Sequence, residues 1–142
     1  MSKLKSIIDG TRPPDIYRFA SRMAVASVRR QLEAEGWRVF HLDGREIKNK
    51  ALFLEACVAA MEFPSYFGKN WDAFEECLTD LSWVEADGYV IVYDHAEAFE
   101  LNDPKEWRTA LEILGNAIKA WHESGTPMYV LVRNSQAVFP VL

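Results

Sequence analysis

The chain has 142 residues, 49% of them apolar and 13% aromatic, which suits one domain with a sizeable core. A net charge of −5 excludes a general nucleic-acid binder, which needs a basic surface. No run approaches the roughly 18 apolar residues of a membrane span, and the start, M-S-K-L-K-S-I-I-D-G, has no apolar signal region, so the expectation is a cytoplasmic protein.

Residues 1–14 read as irregular, with Pro13-Pro14 barring a helix. Ile16 to Phe19 suits a short edge strand. From Arg22 to about Glu35, Val25, Val28 and Leu32 fall on one side, which predicts an amphipathic surface helix ended by Gly36. Its bases Arg22, Arg29 and Arg30 suit either a solvated face or an RNA-binding one, and no glycine-rich loop or interleaved aromatic supports the second. Trp37 to Leu42 alternates as a strand does, and Asp43-Gly44 reads as the turn after it. Lys50 to Met61 is apolar on almost every side, as expected of a helix buried on more than one face.

Phe63 to Trp83 is the most informative stretch. Pro64 disfavours helix at Phe63, and Gly68 lets the backbone turn. Asn70 is placed to cap a new helix, with Asp72 in its first turn. Over Trp71 to Leu81, the residues Trp71, Phe74, Cys77, Leu78 and Leu81 form an apolar stripe. Asp72, Glu75, Glu76, Thr79 and Asp80 lie on the other side, where like charges at i,i+4 repel. That face is either solvated surface or a surface built to meet something positive. Charge is unevenly spread. Residues 62–87 hold seven acids and one base, a net of −6, whereas residues 1–38 hold eight bases and four acids, a net of +4.

Tyr89 to Tyr93 is a continuous β-branched and aromatic run, the pattern of a central strand covered on both faces. A polar loop with Asp94, His95 and Glu97 follows. Asp103, Pro104 and Glu106 spell a capping box, and a stripe of Trp107, Ala110, Leu111, Leu114, Ala117, Ile118 and Trp121 runs to a stop at Gly125 and Pro127. Met128 to Val132 is a second continuous strand, and the last ten residues read as irregular. Strands alternating with helices imply crossovers, hence an α/β fold. The expected sheet is small, mainly parallel and three-stranded, with helices on both faces and Ile16–Phe19 available as an extra N-terminal edge strand.

The sequence offers little for catalysis. His41, His95 and His122 are far apart, no metal-ligand spacing or paired cysteine motif occurs, and no phosphate-binding glycine loop or nucleophile motif is present. Neither a metal nor a cofactor is expected, and the chain does not read as an enzyme. The best local acid–base cluster is Asp94, His95 and Glu97, at a strand end where parallel sheets bind ligands. Asp72 and Glu76 make a poor glycosidase pair, because such carboxylates need a cleft. Cys57 and Cys77 lie on apolar stripes and read as buried free thiols.

The run Y-F-G-K-N-W-D-A-F-E-E-C-L-T-D-L-S-W resembles the signature of the barstar family, the intracellular protein inhibitors of secreted ribonucleases. A weaker likeness extends from about Trp37 to Val132. It implies a barstar-like domain over residues 36–142, with residues 1–35 an N-terminal extension whose amphipathic helix packs on it. It also implies a partner: a basic ribonuclease or nuclease toxin, barnase-like, bound one to one, with no direct nucleic-acid or membrane contact. By the same likeness Glu76 stands where the family has the aspartate that enters the enzyme's phosphate site, and Asp72 matches the other interfacial aspartate. Tyr66 matches an aromatic that packs on the enzyme, with Phe67 and Gly68 in the loop beside it. Asn70 matches an interfacial residue or is only a cap. Thr79 continues the face, and Trp83 resembles an aromatic at its edge. Trp71 suits core and contact equally. Glu75 stands where the best-known member has a tryptophan, and Glu76 is one methylene longer than the usual aspartate. The alternative is an acidic interaction or antitoxin module for a basic partner that is not a ribonuclease.

Overall fold

The computed structural model describes residues 3–64 and 69–142. Its centre is a four-stranded sheet formed by β1 (Ile16–Arg18), β2 (Arg38–Asp43), β3 (Tyr89–Asp94) and β4 (Met128–Val132), in the order β1-β4-β3-β2. Every pairing is parallel, with Val90 opposite both Val39 and Tyr129. The sheet therefore has four strands rather than three. The fourth is the short N-terminal edge strand, which pairs Ile16 with Val130 and gains a bridge from Val141.

Alternation along the strands divides the core in two. Tyr89, Ile91, Tyr93, Met128, Val130 and Val132 face one cluster, covered by α3 (Lys50–Met61), α4 (Trp71–Asp80), α5 (Glu97–Asn102) and α6 (Pro104–Glu123). Val39, Val90, Val92, Tyr129 and Leu131 face the other, covered by α1 (Lys3–Ile8) and α2 (Val25–Glu33). Tyr89–Tyr93 of β3 and all of β4 are buried, as their unbroken apolar runs require. The first thirty-odd residues thus supply the helices that cover one face of the sheet: Leu4, Ile7, Tyr17, Val28 and Leu32 are all buried there.

Four expectations change. Residues 3–8 are helical, because Pro13-Pro14 lie beyond the end of α1 and Leu4 and Ile7, three apart, share a buried side. The helix expected from Arg22 begins only at Val25. The carbonyls of Ser21 and Met23 are instead held by Arg133 Nη1, at 3.0 and 2.8 Å. The loop expected after Asp94 contains α5, seated by the fully buried Phe99. The capping box at Asp103 does not form: Asp103 makes no side-chain cap bond. Glu106 instead accepts from the indole of Trp71 at 2.7 Å.

Candidate functional site

The acidic helix is built from its start. Lys69 takes a positive φ of 55°, and Asn70 then caps α4 by accepting from the Ala73 amide at 2.8 Å. Phe74, Cys77 and Leu78 are buried, with Phe74 edge-on to Phe53 at 5.5 Å between ring centroids. The helix ends on Leu81, in the left-handed region at φ 47° yet fully buried, so its side chain anchors the turn.

Three tryptophans fasten this helix to the fold through their indole N–H groups. Trp71 donates to Glu106 in the first turn of α6. Trp121 of α6 donates to the Leu78 carbonyl at 2.9 Å. Trp83, in the short 3-10 turn after α4, donates to the Met61 carbonyl at the end of α3, also at 2.9 Å. An amphipathic indole suits this role, since its ring packs while its one donor finds an acceptor. Trp71 packs tilted against Phe53 and edge-on to Phe74, with Lys50 5.4 Å from its ring, and so is a packing residue of the helix start.

With that stripe fastened, Asp72, Glu76 and Asp80 are exposed and Glu75 and Thr79 half-buried on the outward side. The Thr79 hydroxyl turns back to the Glu75 carbonyl at 2.8 Å. Among the described residues, no lysine, arginine or histidine forms an ion pair with Asp72, Glu75, Glu76 or Asp80. Their field reaches inward: burial, then the carboxylates of Glu76 and Asp80, push the Cys77 thiol above its ordinary pKa. Cys77 and Cys57 are buried free thiols. Of the expected site, Asp72, Glu75, Glu76 and Thr79 share one helix side, Asn70 caps the helix start, and Trp83 lies half-buried just beyond the helix end. Tyr66, Phe67 and Gly68 lie outside the described residues.

A second polar cluster forms at the C-terminal edge of the sheet. Asp94 is chelated by Arg133, which donates from Nε and Nη2, and it meets His41 Nε2 at 2.9 Å. Burial raises the Asp94 pKa, but the bonds from Arg133 and His41 and their charges outweigh it and leave the carboxyl below its ordinary value. The expected trio of Asp94, His95 and Glu97 is thereby divided: Asp94 is committed to Arg133 and His41, while His95 Nδ1 lies 3.8 Å from Glu97. The sequence does not connect these side chains, which come from β2, from β3 and from the residue that follows β4. The available signal was a charged residue directly after each apolar run, Asp94 after Tyr93 and Arg133 after Val132. Among the described residues no group of three His, Cys, Asp or Glu side chains could hold a metal ion, and no helix is long and apolar enough to cross a membrane.

Fold and surface together define a small parallel α/β protein that presents an acidic helix pinned by indoles. Residues 37–133 match the family model for barstar, the barnase inhibitor, which covers more than half of the sequence. The chain belongs to the barstar family. No curated protein matches it.

Proposed function

We propose that this protein inhibits a basic ribonuclease or nuclease toxin by setting α4 against the enzyme's active site, one molecule to one. The observation that carries the reading is the outward side of α4, where Asp72, Glu75, Glu76 and Asp80 stand without an ion-pair partner among the described residues. A ribonuclease site is a cationic pocket made for phosphate. Carboxylates fixed on a helix replace the RNA backbone there and accept charged hydrogen bonds, bidentate ones from arginine above all. Glu76 enters the phosphate site and Asp72 flanks it. Tyr66, Phe67, Gly68, Asn70, Thr79 and Trp83 complete the contact, and the acidic field speeds encounter with a basic partner.

Titrating a barnase-like ribonuclease with this protein, at low and moderate salt, tests the proposal through RNA cleavage. Activity falls sharply to zero at one equivalent. Glu76→Ala keeps its circular dichroism, since the side chain is exposed, and loses at least about 2 kcal/mol of binding, roughly 30-fold in Kd. No inhibition at large excess excludes a barnase-like partner and moves the search to another basic nuclease, with the acidic face as bait. Unfolding of Glu76→Ala removes that residue from the proposed contact.

A further inference from the structure

A cleft of about 680 Å3 opens at the C-terminal edge of the sheet, away from α4. The ends of β1, β3 and β4 supply Arg18, Asp94, His95 and Arg133, and residues 19–25 form its outer wall. The chain leaves β1 towards the face that α2 covers and leaves β3 towards the face that α5 and α6 cover. The backbone therefore parts around the end of β4. A parallel sheet places its ligand sites at such a divergence, and this volume lies within the range of about 300–1,000 Å3 usual for small molecules.

We propose that this cleft binds a small phosphate-bearing ligand. Arg18, Arg22 and Arg133 line it against one carboxylate, Asp94, so its formal charge is 3 − 1 = +2 in a chain of net charge −5. Arg133 is already engaged. It holds Asp94 with Nε and Nη2 and folds residues 21–23 inward through Nη1. That fold puts Arg22 in the lining together with Arg18. Both arginines are exposed, and neither forms an ion pair with any described residue. The planar guanidinium fork matches phosphate oxygens two at a time, so two such groups around one concavity select phosphate over a monovalent anion. Nothing in the packing of the fold calls for an arginine at position 22.

Isothermal titration calorimetry on the full chain, at fixed ionic strength, uses pyrophosphate, ATP and citrate as probes. Saturable one-to-one binding of pyrophosphate or ATP is expected. It weakens at least about tenfold in Arg18→Ala/Arg22→Ala and less than about twofold in Arg30→Ala, which removes a charge of α2 outside the cleft. Tighter binding of ATP than of pyrophosphate identifies a nucleotide, and equal binding identifies the phosphate group itself as the recognised part. Either supports the site. Absence of saturable binding for both phosphate probes overturns it, as does citrate binding as tightly as pyrophosphate or an equal loss in Arg30→Ala. Should the double alanine variant fail to fold, Arg18→Lys/Arg22→Lys keeps the charge and removes the fork, with the same tenfold loss expected.

Discussion

Replacing Trp71 by Phe tests whether the acidic helix is held from its own first turn. The indole N–H donates to Glu106 Oε2 at 2.7 Å, and the ring lies 5.9 Å from both Phe53 and Phe74 between centroids. Phe keeps a ring against those neighbours and deletes the donor. A hydrogen bond to a charged acceptor contributes about 1.5–3 kcal/mol. Partial exposure of this pair places it at the low end, about 1–2 kcal/mol. The smaller ring adds about 1 kcal/mol from lost apolar burial. Urea denaturation of Trp71→Phe, Glu106→Ala and the double variant closes a cycle from which the packing loss cancels. The expected coupling is about 1–2 kcal/mol. Coupling below about 0.5 kcal/mol, the level seen between sites that do not interact, refutes the tether. The same variants bear on the two roles of Trp71: as a packing residue it leaves ribonuclease inhibition intact wherever the variant is folded.

The edge cluster predicts a pH dependence. Burial raises the Asp94 pKa, and the Arg133 and His41 contacts more than reverse this, so its folded value lies below the unfolded one of about 3.9. Its stabilisation is fully present above the unfolded value and is lost as pH falls through the folded value. Asp94→Asn should therefore lower the urea midpoint at pH 7 and flatten its decline below about pH 4; an unchanged decline sinks the assignment. For the thiols, burial raises the pKa of both Cys57 and Cys77. A disulfide reagent at pH 8 should find neither in the native protein and both in denaturant. Native-state reaction of Cys77 at the rate of an open thiol shows that α4 lifts from the core.

Legibility followed the range of the interaction. Tyr89–Tyr93 and Met128–Val132 were readable because a fully covered strand needs only its own apolar run, whereas Lys50–Met61, apolar on almost every side, buries only the side of Phe53, Leu54, Cys57 and Met61 and leaves Ala51, Leu52, Glu55 and Ala59 exposed, because just one side of it meets the core. Asn70 was readable because a cap acts three residues away, on Ala73. Asp103 and Glu106 spell a local pattern too, and it failed: the Asp103 amide donates to the Phe99 carbonyl, and Trp71, 35 residues distant, takes the Glu106 carboxylate. The other indole tethers span 22 and 43 residues, and the Asp94 contacts 53 and 39. No local pattern encodes such pairs; the parallel register that brings the strand ends together does. The short helix α5 was hidden for a related reason: one buried Phe99 seats it, and one residue has no period.

The carboxylates of α4 are not explained by its folding. Asp72 sits in the first turn, where the dipole favours it, but Asp80 sits in the last turn, which carries no base. Glu76 faces Asp72 and Asp80 at i−4 and i+4, and each like-charge pair weakens a helix by about 0.2–0.5 kcal/mol. Glu76→Gln keeps the length and helix propensity of the side chain and relieves both pairs. It should therefore stabilise the protein, by about 0.4–1 kcal/mol at low salt and less as salt screens the repulsion. Under the proposed function the same substitution weakens ribonuclease inhibition, so stability and binding move in opposite directions. Thermal unfolding at two salt concentrations beside the inhibition titration measures both. A helix whose face is merely solvated gains stability and loses nothing. A protein that loses both has Glu76 bonded within its own fold, contrary to the open face on which the inhibitor reading rests.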